Sequence, residues 1–84
     1  MSLDLSSQDK AVGLKQCRKA VREGRARLVY LARDADPAVT APVAQECREA
    51  GVPVDAERTM AELGRACRIA VGASAVALLG GRAK

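Results

Sequence analysis

Three features of this sequence predict an α/β/α sandwich, with helices on both faces of a small mixed sheet of about four strands. Short apolar runs alternate with segments of helical period along the chain, the order in which strands and helices stack as layers. The run Leu28-Val29-Tyr30-Leu31-Ala32 is continuous rather than alternating, as a strand covered on both faces requires. The core-forming residues are also small. Hydrophobic residues make up 49% of the 84, yet there is one Tyr and no Trp or Phe, so Ala, Val and Leu must build the core. Such side chains let helices approach a sheet closely. The length suits one domain, near the lower end of what folds unaided, and no linker, repeat or low-complexity segment divides residues 1–84.

Each element has its own signal. Leu3 to Gln8 fits a short helical turn, and Lys10-Ala11-Val12 a short strand ending at Gly13. From Leu14 to Glu23 the apolar Leu14, Cys17, Ala20 and Val21 recur at helical spacing, and Gly24 supplies a stop. Asp34-Ala35-Asp36-Pro37 is a turn, with Asp36 placed as a cap and Pro37 suited to the start of helical structure. Thr40 is expected to cap the main helix, because Pro42 belongs in a first turn and not in an interior. That helix should bury Val43, Ala44, Cys47 and Ala50 and stop at Gly51. Val52-Pro53-Val54 reads as a short strand, confined by Pro53 to an edge or a strand start. Thr59-Met60-Ala61-Glu62 has capping-box spacing, so a helix should run from Met60 to about Cys67 and bury Leu63, Ala66 and Cys67. A loop from Arg68 to Gly72 then leads into a final apolar strand, Ala73 to Leu79.

Composition narrows the function. Cys17, Cys47 and Cys67 form no CxxC pair, and without histidine a zinc site lacks its usual ligands, so free buried thiols are expected and neither metal nor cofactor. The absence of histidine also removes the commonest general base. A small enzyme would have to use Asp34 or Asp36 with a nearby Lys or Cys, but aspartates before a proline are mostly turn and capping residues. A non-enzyme is expected. Met1-Ser2-Leu3-Asp4 has no basic region with an apolar run behind it, and no stretch approaches the roughly 18 apolar residues of a membrane span. These features predict a soluble, cytoplasmic protein.

The net charge of +4 is modest, but its distribution is not. Residues 10–27 hold Lys10, Lys15, Arg18, Lys19, Arg22, Arg25 and Arg27 against Glu23 alone. Residues 34–62 hold Asp34, Asp36, Glu46, Glu49, Asp55, Glu57 and Glu62 against Arg48 and Arg58, and after them Arg65, Arg68, Arg82 and Lys84 face no acid. Such segregation makes a local positive field and points to a polyanionic partner.

On the helix from Leu14, the residues Lys15, Arg18, Lys19 and Arg22 fall on one stripe at i, i+3, i+4 and i+7. Like charges at these spacings repel by a few tenths of a kcal/mol per pair, a cost that solvation alone does not require. A face that tracks phosphates uses them. At the helix start, Gly13 permits close backbone approach, and the first-turn N–H groups carry partial positive charge. Lys15 and Gln16 project from that turn; Gln can donate and accept and so read a base edge, while Lys donates to guanine or phosphate. In the loop Arg68-Ile69-Ala70-Val71-Gly72, two apolar residues stand where a polar turn is expected. Either they tuck into the core or they form a plug that packs on unstacked bases. A ring-based platform is excluded, since Tyr30 lies within a buried run.

These segments carry a resemblance. Gly13-Leu14-Lys15-Gln16-Cys17-Arg18-Lys19, then Leu28 to Ala32 with Asp34-Ala35-Asp36-Pro37, then Val52-Pro53-Val54, then Leu63-Gly64-Arg65-Ala66-Cys67 are similar, in order and in gaps, to the L7Ae and L30e ribosomal protein family. The likeness covers Lys10 to Leu79, and Lys-Gln at the helix start resembles the bacterial, YbxF-like branch. It implies an α/β/α sandwich that binds kink-turn RNA, a helix–bulge–helix bent around tandem sheared G·A pairs. The family pattern at the helix start is Gly-x-Asn-Glu-x-x-Lys; here Lys15, Gln16 and Lys19 stand at the Asn, Glu and Lys positions, following Gly13 and Leu14. The resemblance implies that these side chains read the G·A guanines and hold adjacent phosphates; the helical stripe itself places Arg18 and Arg22 to hold the backbone. It places Asp36 near the flipped-out bulge nucleotide, and Ile69, Ala70 and Val71 over the bulge bases. Arg68 stands where the family has Gly, so it either strains the loop or adds a phosphate contact. A monomer on its RNA is expected, the RNA being ribosomal RNA, a riboswitch or another kink-turn carrier. The rival reading is a ribosome-associated structural protein or a general basic RNA-binding module without kink-turn selectivity.

Overall fold

In the computed structural model, which describes residues 4–80, strands and helices alternate as β1 (Lys10–Val12), α1 (Leu14–Arg22), β2 (Ala26–Leu31), α2 (Pro37–Ala50), β3 (Val54–Asp55), α3 (Met60–Ala66) and β4 (Ala75–Leu79). The sheet order is β1-β4-β2-β3, with β4 antiparallel to both β1 and β2, and β3 parallel to β2. The two most apolar strands therefore lie in the middle, where both faces are covered.

Alternation along those strands divides the core. Val29 and Leu31 of β2, with Ala75 and Ala77 of β4, meet Cys17, Ala20 and Val21 of α1 and Val43 and Cys47 of α2. Tyr30, Ala32, Val76 and Leu78 point the other way and meet Leu5, Leu63, Ala66 and Cys67. Two helices thus cover one face, α3 and the Leu5 segment cover the other, and the layers are α/β/α. Alanines at 75 and 77 keep the two-helix face shallow, so α1 and α2 share it. All three thiols are free and buried, and burial pushes the Cys17 thiol up to about 12.

Five local expectations are corrected. The main helix starts at Pro37, not after Thr40: Asp36 caps it by accepting from the Ala38 N–H at 2.9 Å, with Pro37 in the first turn. Pro42 is consequently an interior proline, tolerated because Ala38, whose carbonyl it leaves without a donor, is exposed to water. Ala50 is exposed, while Ala44 packs at the margin of the core. The third strand is Val54–Asp55, since the Val52 N–H bonds back to Cys47 and Pro53 offers only its carbonyl, to Val29. Strand β4 begins at Ala75, two residues later than expected. Near the N-terminus a turn at Ser6-Ser7 replaces the helical turn, and the Leu5 N–H bonds to the Ala66 carbonyl at 2.8 Å; Leu3 lies outside the described residues.

Helix ends explain the remaining turns. Gly24 and Gly51 follow α1 and α2 with φ of 73° and 74°, and in each case the next N–H bonds back over the last turn, to Ala20 and to Cys47. At the end of α3 the same pair of bonds forms, Arg68 N–H to Arg65 and Ile69 N–H to Gly64. The left-handed seat there is taken by Arg68, with φ of 60°. A side chain in that conformation costs roughly 1–2 kcal/mol relative to glycine.

Candidate nucleic-acid interface

The sheet register brings three separate segments to one end of the molecule. β1 ends where β4 begins, because the two are antiparallel with Val12 opposite Val76, and the Gly13 N–H bonds to the Ala75 carbonyl at 2.8 Å. β2 ends at the same place: Leu31 lies opposite Ala75, and the Ala32 N–H bonds to Ser74 at 2.9 Å. The start of α1, the turn 33–36 after β2 and the loop 68–74 before β4 are therefore neighbours.

The first segment presents the basic helix. Gly13 has φ 106° and ψ 154°, a region open in practice to glycine alone, which lets the chain leave β1 and turn directly into α1. Cys17, Ala20 and Val21 face the core, so Lys15, Gln16 and Lys19 lie on the outer side. No ion pair among the described residues involves Lys15 or Lys19. Leu14, half-buried, packs at the edge of the core and, with Lys15, Arg18, Lys19 and Arg22 on one side and Val39 and Pro42 on the other, lines a cleft of about 670 Å³ between α1 and α2.

Arg18 and Arg22, on the same stripe, differ from the two lysines in being ion-paired. Both reach Glu46 on α2: Arg18 bidentately at 3.1 Å per bond, Arg22 at 2.9 Å. Hydrogen bonds from Arg18 and then Arg22 hold the Glu46 carboxyl at about 2, so the cluster stays ionised at any ordinary pH. The stripe seen in the sequence is real as geometry, but two of its four cations, Arg18 and Arg22, are partly neutralised by a carboxylate 28 and 24 residues away.

The second segment is the turn. Asp34 accepts from the Met60 N–H at 2.8 Å and Asp36 from the Ala38 N–H at 2.9 Å, so both carboxylates hold backbone. Asp36 remains exposed beside the third segment's end of the sheet. Asp34 also fixes the start of α3, where Thr59 and Glu62 complete a capping box with bonds of 3.1 and 2.8 Å.

The third segment is the loop. Ile69, Ala70 and Val71 do not tuck into the core: Ile69 is 38% exposed and Val71 69%. The loop is nonetheless anchored at both ends, by the Ile69 N–H to Gly64 and by the Ala73 N–H to Met60, each at 3.0 Å. Gly64 lies so close beneath it that a Cβ there would overlap the Val71 carbonyl oxygen. Arg68, beside it, points outward and pairs only loosely with Asp4 at 3.6 Å. The loop is thus held at both ends and leaves Ile69 and Val71 facing water.

Glu46 and Gly64 shape the candidate site, and the sequence alone does not single them out. Glu46 gives no signal there, being distant in sequence from the arginines it binds. Gly64 sits in a motif, Leu63-Gly64-Arg65, but its reason is a close approach that only the fold shows.

A small α/β/α domain with its free cations, a capped acidic turn and an apolar loop gathered at one sheet end is built as a binding module. The chain belongs to the ribosomal protein L7Ae/L30e/S12e/Gadd45 family, whose model matches residues 4–83. It is 46% identical over 68 residues to the RNA-binding protein YbxF of Geobacillus stearothermophilus, covering 81% of this chain and 83% of that one. An RNA-binding protein of Bacillus pumilus is 42% identical over 81 residues, covering 94% and 99%. Among solved structures, a 15.5 kD RNA-binding protein of Giardia lamblia superposes with a TM-score of 0.80 at 30% identity, over 84% of this chain and 60% of its own length. No helix among the described residues is long and apolar enough to cross a membrane.

Proposed function

We propose that this protein is a non-catalytic RNA-binding protein that recognises kink-turn RNA and stabilises its bent form. The observation that supports this most is the meeting of the α1 start, the Asp36 turn and the 69–71 loop at one end of the sheet. Lys15 and Gln16 then read base edges, Lys19 holds phosphate, and Ile69 and Val71 cover bases that leave the stack. Gln16 in place of an acid keeps acceptor and donor but removes charge, so base reading is softer and phosphate attraction greater. Arg68, turned outward by its left-handed backbone, adds a cation next to the apolar loop. The relatives named as RNA-binding proteins support the RNA, and the family resemblance supports the kink. Binding the bent conformer more tightly than the extended one shifts that equilibrium without covalent chemistry. The protein acts as a monomer on ribosomal RNA, a riboswitch or another RNA that carries the bend.

The test is a gel-shift titration against a kink-turn and against the same RNA with its G·A pairs made Watson–Crick. The wild-type protein is expected to prefer the kink-turn, and Gln16→Ala to reduce that preference by the equivalent of about 1–3 kcal/mol, the worth of one good base contact. Lys19→Ala, which removes a phosphate contact and no base contact, should weaken both RNAs alike. Equal wild-type affinity for the two RNAs would leave a general basic RNA-binding surface.

A further inference from the structure

Two of the four cations on the α1 stripe already have an anion. Arg18 uses Nε and one terminal nitrogen on the two oxygens of Glu46, the fork-on-fork geometry that an arginine would otherwise offer a phosphate. Arg22 adds a third bond to the same carboxylate at 2.9 Å. The Glu46 side chain is the least exposed of the three, 22% against 39% and 61%, so it sits behind the arginines on α2 and draws both toward that helix. Lys15 and Lys19, on the same stripe, have no such partner among the described residues.

Position along α1 decides what each cation can do for recognition, and Lys19, though free, lies between Arg18 and Arg22 as a phosphate position. Lys15 and Gln16 stand at the helix start, next to the loop 68–74, where base edges and splayed bases would be read. Arg18 and Arg22 lie one and two turns further on, where only backbone phosphates would pass. Phosphate contacts fix position but carry no information about sequence, and each of them strengthens binding to any RNA. A carboxylate that holds two guanidinium groups removes one unit of charge from that stretch and occupies Arg18's bidentate edge.

We propose that Glu46 is a specificity-determining residue, which withholds Arg18 and Arg22 from shape-indifferent phosphate binding and leaves recognition to the α1 start and the apolar loop. The proposal rests on α1 being the RNA-facing helix, as in the proposed function. It does not require that the RNA be kinked.

The intact protein and its Glu46→Gln variant would be titrated by fluorescence anisotropy over a salt series, on a kink-turn RNA and on a straight duplex of equal length. Gln keeps the size and the hydrogen-bonding oxygen, and a thermal melt of each protein controls for folding. The variant is expected to bind the straight duplex several-fold more tightly. Its plot of log affinity against log salt should be steeper by about one unit for each further phosphate that the released arginines neutralise. The improvement on the kink-turn should be smaller, so the ratio of the two affinities falls. Adding Arg22→Gln to Glu46→Gln should return the slope on the duplex toward the wild-type value. An unchanged duplex slope, or weaker binding to both RNAs, would overturn the proposal, the latter showing that Glu46 orients the arginines for RNA. Wild-type protein that binds both RNAs alike would instead defeat the kink-turn reading, while the duplex slope of the variant still decides the role of Glu46.

Discussion

Truncating Leu63 to alanine is expected to destabilise the protein by about 2–5 kcal/mol. Leu63 is the one large side chain of the short α3 that is fully buried, among Leu5, Tyr30, Val76 and Leu78, with Met60 packed beside it at the margin of the core. A chain of this length has a total stability of roughly 4–13 kcal/mol, so one such cavity consumes a large share of it. The consequence reaches the site, because the loop 69–71 hangs from α3 at Gly64 and Met60. Urea unfolding should show a lower midpoint with an unchanged slope. A loss below about 1 kcal/mol would mean that α3 contributes little to the core.

Replacing Gly64 by alanine gives the second large effect, and its sign opposes helix propensity. In an exposed helix the change would stabilise by about 1 kcal/mol. Here the new methyl group overlaps the Val71 carbonyl and comes within 3.0 Å of the Gly72 Cα. Both obstacles are backbone, so no rotamer change relieves them, and overpacking of this kind costs about 1–3 kcal/mol. The loop must lift. Thermal melting should therefore show a net loss of stability. Anisotropy titrations should show weaker kink-turn binding, with little change on straight duplex, whose contacts come from α1. A rise in stability would show that the loop is not seated on α3.

Much of the fold is legible in the sequence because local chemistry and global packing agree. Leu28 to Ala32 must be covered on both faces, and its residues do alternate between two helical layers. Thr59 and Glu62 form the capping box that their spacing announces. Cys17, Ala20 and Val21 face inward as their period requires, which turns Lys15 and Lys19 outward. The start of the main helix is misread when Pro42 is given more weight than the Asp36-Pro37 pair. The paired cap and first-turn proline set the start, and an exposed carbonyl absorbs the interior proline.

The site is legible to a lesser depth. Charge segregation picks out α1, and the misplaced apolar residues pick out the loop, but nothing local says that the two are neighbours. That follows from β4 pairing with both β1 and β2, a property of the sheet order. For the same reason, Ile69 and Val71 can be either core or surface until the anchoring bonds to Gly64 and Met60 fix the course of the loop. Glu46 belongs to the same class, since its partners are reached across two packed helices rather than along one.

In the proposed function, three segments distant in sequence bind RNA as one surface. The direct measurement is a map of backbone amide chemical-shift changes as kink-turn RNA is added to the labelled protein. Shifts should appear together at Gly13 to Lys19, at Asp36 and at Arg68 to Gly72, while Gly24 and Gly51, which precede the parallel strands β2 and β3 at the opposite end of the sheet, stay quiet. Shifts confined to α1, with Ile69 and Val71 unmoved, would contradict it and reduce the site to a basic helix.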